Sequence, residues 1–207
     1  MGESNISPLV RATVMENIEL IPEVEAEFDR YFSEYSESSP PHTRIDDYLR
    51  WSFVLAEIPE GTSILDIGVG AGQFINAASR SEKFSRIHGI DITRHSKFLE
   101  PEEKSVEMTY ESVVDMNFSD SEFENVTCME VIEHLETEEM EKAISELRRV
   151  SKGRVIVTVP YCEKEPIPKY HKQRFTLTRT KEIFPNAQLT LFVREARVKW
   201  ILIIEEQ

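Results

Sequence analysis

The chain of 207 residues has no apolar run of the ~20 residues that a membrane-crossing helix requires, and its opening residues show no charged-then-apolar leader pattern. No membrane partner is expected, and a soluble cytoplasmic protein is the simplest reading. Cysteine is nearly absent. Cys128 and Cys162 lack the spacing of a metal or redox motif, so reduced thiols in a cytoplasm account for them. Positive charge is scarce as well: 24 Lys and Arg stand against 38 Asp and Glu, a formal charge of −14. Residues 1–42 hold nine acids and two bases, and residues 100–146 hold sixteen acids and two bases. Such a surface repels a polyanion, so nucleic acid is not an expected partner. Only residues 169–181 reverse the sign, with Lys169, Lys172, Arg174, Arg179 and Lys181 and no acid. They read either as a solvated helix and loop or as a cationic face that receives an anionic substrate.

What is present begins at residue 63. Ile64, Leu65 and Ile67 form a short apolar run around Asp66, and Gly68, Gly70 and Gly72 follow in alternation. This pattern describes a buried parallel strand turning sharply into a helix over residues 73–80, with a positive N-terminus aimed at a ligand. A dinucleotide fingerprint would need its third glycine at position 73, which holds Gln73, so a nicotinamide-dependent oxidoreductase is disfavoured.

The rest of the chain alternates helices and strands. Residues 8–36 place Leu9, Val10, Val14, Ile18, Ile21, Val24, Phe28, Tyr31, Phe32 and Tyr35 at helical spacing, read as two helices with Pro22 opening the second. Residues 36–41 read as a linker. A helix over 43–58 leads into the first strand of the main domain. Further strands are expected over 86–90, 105–110, 126–129 and 154–159, with a helix from a Thr137 cap to Val150. Strands over 188–193 and 197–204 form a closing hairpin. Asp91 ends the second strand, where a carboxylate can hold a ribose diol.

The Asp66-x-Gly68-x-Gly70-x-Gly72 spacing resembles motif I of the class I methyltransferases that use S-adenosylmethionine, in the small-molecule group of type 11 and 12 domains. The order of glycine loop, strand-end acid, second acid, Glu-x-x-Glu-His and terminal hairpin extends that resemblance over about residues 43–207. It implies an α/β, Rossmann-like fold: a mostly parallel seven-stranded sheet with a terminal antiparallel hairpin, plus N-terminal helices. Residues 1–42 would form a helical extension or lid, and 43–207 the cofactor-binding domain. Asp66, Gly68, Gly70 and Gly72 would hold the methionine part of the cofactor, Asp91 its ribose, Asp115 and the Met116 amide its adenine, with Glu130 alongside.

Methyl transfer from a sulfonium needs chiefly positioning, exclusion of water and, for a hydroxyl acceptor, removal of a proton. Strand ends restrict the candidates to Glu130, Glu133 and His134 after the fourth strand, Tyr161 after the fifth and His171 in the loop beyond, of which His134, His171 and Glu130 are taken as catalytic. Glu130, Glu133 and His134 together would also suit a hard divalent ion, but similar sequences occur in class I enzymes with and without a metal, and none is expected here. The expected reaction is methylation of a small molecule, its acceptor atom open. The alternative is a protein that binds S-adenosylmethionine in a regulatory role without turnover.

Overall fold

A computed structural model describes residues 9–35, 45–102 and 106–207. The expected linker at 36–41, the boundary at residues 42 and 43 and the start of the strand expected at 105 lie outside them. In chain order the strands are Val10–Val14 (β1), Thr62–Ile67 (β2), Phe84–Asp91 (β3), Val106–Tyr110 (β4), Phe123–Met129 (β5), Ser151–Pro160 (β6), Gln188–Arg194 (β7) and Arg197–Glu206 (β8). The α-helices are Pro22–Glu34 (α1), Ile45–Glu57 (α2), Gln73–Arg80 (α3), Thr137–Val150 (α4) and Leu177–Ile183 (α5).

The eight strands form one sheet in the order β1-β7-β8-β6-β5-β2-β3-β4. Only β8 runs against its neighbours, pairing antiparallel with β6 and β7. Glu195 and Ala196 close that hairpin with φ of 50° and 58°, the backbone twist that suits a two-residue connection. The strand order reverses between β2 and β5, and the carboxyl ends of both strands open on the crevice where ligands bind in open α/β sheets.

Alternation along the strands divides the core into two layers. Leu65, Ile67, Val155, Val157 and Val159 join Met140, Ile144 and Leu147 of α4 on one face of the sheet. Ile64, Ile156, Leu202 and Ile204 join Tyr48, Trp51, Phe74 and Ile75 of α2 and α3 on the other. Each such side chain contributes about 1.5–3 kcal/mol on burial, so the strand ends are held on a stiff platform.

Two expectations are corrected. The first N-terminal helix is instead β1, paired parallel with β7 from Val10 opposite Leu189 to Val14 opposite Val193, which raises the sheet from seven strands to eight. The β-branched Val10, Thr13 and Val14 suit a pleated edge. Tertiary partners also reward it: Leu189 donates its amide to the Leu9 carbonyl at 2.8 Å, and Arg11 Nε donates to Thr190 Oγ1 at 2.9 Å. The cap of α4 is Glu136 rather than Thr137, in a reciprocal capping box with Glu139.

Candidate active site

At the end of β2 the chain turns through Gly68, Gly70 and Gly72 with φ of 75°, 55° and 94°. At Gly68 a Cβ would lie 2.3 Å from Val131 Cγ2, so only glycine fits both the conformation and the space. The loop is tied to the next strand: Gly68 donates its amide to the Ile90 carbonyl at 2.9 Å, and Gly70 donates to Asp91 Oδ2 at 2.8 Å. Asp91 thus faces a cleft of about 310 Å³ lined by Ile67, Gly68, Ile90, Val113, Val131 and Leu135 among others. An apolar slot with a fixed carboxylate at its rim suits a flat heterocycle joined to a sugar diol.

On the other side of the glycine turn a smaller cavity of about 210 Å³ is bounded by Arg50, Asp66, Gly68, Gly70, Gln73 and Glu130. Asp66 is 3% exposed, and Thr127 Oγ1 donates to its Oδ1 at 2.8 Å. Burial, only partly offset by that hydrogen bond, pushes its carboxyl up to about 7. A cationic group bound beside it would restore the carboxylate. Arg50, absent from the candidates drawn from sequence, stands at this junction. It is 2% exposed, reaches Asp47 Oδ1 at 3.2 Å and Glu130 Oε1 at 3.3 Å, and lies over the Trp200 ring at 4.7 Å. Its Nε has no hydrogen-bond partner. The available signal was one arginine between the apolar residues Leu49 and Trp51 of a buried helix face.

Glu130 lines all three clefts of this end of the molecule. Its backbone is left-handed, φ 56°, a conformation a non-glycine residue keeps only where its surroundings enforce it. Thr158 Oγ1 donates to its Oε1 at 3.0 Å and Trp200 Nε1 to its Oε2 at 2.8 Å. With Arg50 beside it as well, this carboxylate positions its neighbours and is not a free base.

The third and largest cleft, about 520 Å³, opens beyond Glu130 at the ends of β5 and β6 and is lined by Glu133, His134, Tyr161, Glu163, Tyr170 and His171 among others. A loop from far along the chain completes it. The amides of Lys172 and Gln173 both donate to the Glu133 carbonyl, at 2.7 and 3.0 Å, and Gln173 Nε2 donates to the Leu135 carbonyl at 3.0 Å. His171 is thereby set against His134, ring centroids 4.9 Å apart. His171 Nδ1 lies 2.6 Å from Glu163 Oε2, and His134 Nδ1 lies 3.1 Å from the Tyr170 carbonyl. Glu133 is 1% exposed, and neither of its carboxylate oxygens accepts a hydrogen bond from another residue. Burial and the nearby Glu130 carboxylate hold its carboxyl well above the usual range.

Of the residues expected from sequence, Asp66, Gly68, Gly70, Asp91, Glu130, His134 and His171 line these connected clefts. Gly72 supports the turn from behind, facing Phe98 and Tyr31. Asp115 and Met116 do not reach the cleft. Asp115 is exposed, and the Met116 amide is spent on Glu146 Oε2 at 2.9 Å while its carbonyl accepts from Arg149. Besides Glu130, the acid that borders the Asp91 cleft is Glu111, just past β4, with Ser112 and Val113 following. The basic run also points elsewhere: Lys172 pairs with Glu136, Arg174 donates to the Glu163 carbonyl, and Arg179 donates to Gln173 Oε1. The charged lining of the largest cleft is instead Asp46, Asp47, Glu130, Glu133 and Glu163 against Arg50 and Lys199.

Residues 65–158 match the family described as methyltransferase domain. No curated protein matches the chain. Among solved structures, a SAM-dependent methyltransferase from Archaeoglobus fulgidus is 14% identical with a TM-score of 0.64, over 87% of this chain and 99% of that one. Another from Aquifex aeolicus is 18% identical with a TM-score of 0.57, over 75% and 88%. A small RNA methyltransferase is 18% identical with a TM-score of 0.60, over 76% of this chain and 25% of that one.

Proposed function

We propose that the chain is a class I S-adenosylmethionine-dependent methyltransferase and that it methylates a hydroxyl-bearing small molecule seated in the cleft between Glu133, His134, Tyr161 and His171. The observation that carries this reading is the shared wall: Glu130 and His134 border both the Asp91 cleft and the larger one, so a donor in the first and an acceptor in the second would meet there. The residues fit the cofactor. Asp91 would take its ribose, the left-handed glycine turn would pass beneath its amino-acid part, Asp66 would face its ammonium group, and the unpartnered Arg50 Nε would face its carboxylate. When bound, S-adenosylmethionine supplies an activated methyl group on a sulfonium.

The chain's own work is then to orient the acceptor and take up its proton. A carbonyl oxygen cannot donate, so His134 Nδ1 carries hydrogen toward Tyr170, and its Nε2 keeps a lone pair. Glu163 holds His171 in the same tautomer. Two basic nitrogens, buttressed from behind, thus stand in the cleft beside Glu133. The acidic lining favours an acceptor without net negative charge over the anionic one suggested by residues 169–181, and together with the net charge of −14 it opposes a nucleic-acid acceptor.

The test is formation of S-adenosylhomocysteine with panels of neutral, cationic and anionic alcohols and amines. Turnover should appear with an uncharged or cationic acceptor and vanish in Asp91→Ala. His171→Ala should lower kcat by about 10²–10⁴-fold while S-adenosylhomocysteine binding is kept. Cofactor binding without turnover across all panels would favour the regulatory alternative.

A further inference from the structure

We infer that Glu133, His134 and His171 form a binding site for a divalent first-row transition-metal ion in the acceptor cleft. One ligand atom from each of the three lies within 4.8 Å of the others. Ligands sharing one ion at ~2.0–2.2 Å stand up to about 4.4 Å apart, so small rotamer changes close the set. Two imidazole nitrogens and one carboxylate oxygen suit zinc, cobalt, nickel, manganese or iron, with the remaining positions open toward the cleft.

Three independent features mark these side chains as ligands rather than as an incidental cluster. Glu133 is 1% exposed, lines the cleft and has no hydrogen-bond donor from another residue on either carboxylate oxygen, an arrangement that is costly for a carboxylate unless a cation completes it. Each histidine is held from its rear nitrogen by an acceptor, the Tyr170 carbonyl for His134 and the Glu163 carboxylate for His171. That is the outer shell by which metal-binding histidines are oriented and their front nitrogen made more basic. Finally, the two amides that Lys172 and Gln173 donate to the Glu133 carbonyl lock the ligand loop to the ligand helix turn. No sequence spacing specifies this: His171 comes 37 positions after His134.

The site exists whether or not methyl transfer occurs. Its use rests on the acceptor cleft proposed above: an ion there would bind the acceptor hydroxyl and ease loss of its proton, the imidazole lone pairs binding metal in place of the proton.

Titration calorimetry of the metal-free protein with Zn²⁺ and Mn²⁺, and the visible spectrum with Co²⁺, test the site directly. One ion per chain and a Co²⁺ spectrum carrying nitrogen ligation are expected. His134→Ala and His171→Ala should each weaken binding by about 100-fold or more, and Glu163→Gln, which alters only the outer shell, by about 10–100-fold. S-adenosylhomocysteine binding measured on every variant reports whether the fold and the donor site survive. Affinity for all three ions unchanged in His134→Ala and Glu163→Gln would overturn the site even if His171→Ala did not fold. Metal binding without turnover would instead leave the site standing and remove the methyltransfer reading of its cleft.

Discussion

On the proposed donor side, Asp66, Gly68 and Gly70 come from one strand and its turn, and Asp91 answers from the neighbouring strand by accepting a hydrogen bond from the Gly70 amide. On the proposed acceptor side, Glu130, Glu133 and His134 come from the turn after β5, Glu163 and His171 from the long loop after β6, and Trp200 from β8, while Arg50 of α2 stands between the two sides. The first is a local backbone device that repeats with its motif. The second is a meeting of distant segments in which charges are balanced across the fold, as Arg50 is between Asp47 and Glu130. Substitutions should therefore act differently on the two sides: through backbone geometry on one, through charge and partner loss on the other.

The most severe break of that contrast is Gly68→Ala. The new Cβ would stand 2.3 Å from Val131 Cγ2 at a backbone φ of 75°. Strain and overpacking of about 3 kcal/mol together should weaken S-adenosylhomocysteine binding by about 100-fold in calorimetry. An unchanged affinity would show that the turn is not the rigid cradle described here.

A middle-sized effect separates the two roles of Asp66. Its carboxyl is raised to about 7 in the folded protein from 3.8, so the fold binds the proton more tightly than the unfolded chain does. Its contribution to stability is full below pH 3.8 and is lost as pH rises toward 7. Asp66→Asn keeps an acceptor for Thr127 and cannot ionise. At pH 8 it should raise the melting temperature of the ligand-free protein, removing a penalty of a few kcal/mol, while weakening S-adenosylhomocysteine binding. Effects of the same sign on both measurements would break the assignment of Asp66 to a ligand's cationic group.

The smallest expected effect sharpens the acceptor side. Lys172 pairs with Glu136 and Arg174 with the Glu163 carbonyl and Glu165, away from the cleft lining. Because such exposed pairs contribute ~0–1 kcal/mol, Lys172→Ala and Arg174→Ala should change acceptor KM by less than about 3-fold. A larger rise would return the basic run to the acceptor site.

Apolar runs, alternating glycines and strand-end acids act over a few residues, so the α/β class, the parallel core strands, the glycine turn and the place of Asp91 at a strand end were legible in the sequence. It misread β1, whose β-branched residues fit a helical spacing until the edge of β7 supplied ladder partners. It pointed to Asp115 and the Met116 amide for adenine, whereas the Met116 backbone is engaged by Glu146 and Arg149, because a loop's hydrogen bonds are set by its neighbours. The burial of Arg50 against Trp200, the full engagement of Glu130 and the meeting of His171 with Glu133 and His134 emerge from the folded chain alone. Those relations join residues from separate elements, and burial turns their charges and lone pairs into chemistry only once the sheet has brought them together.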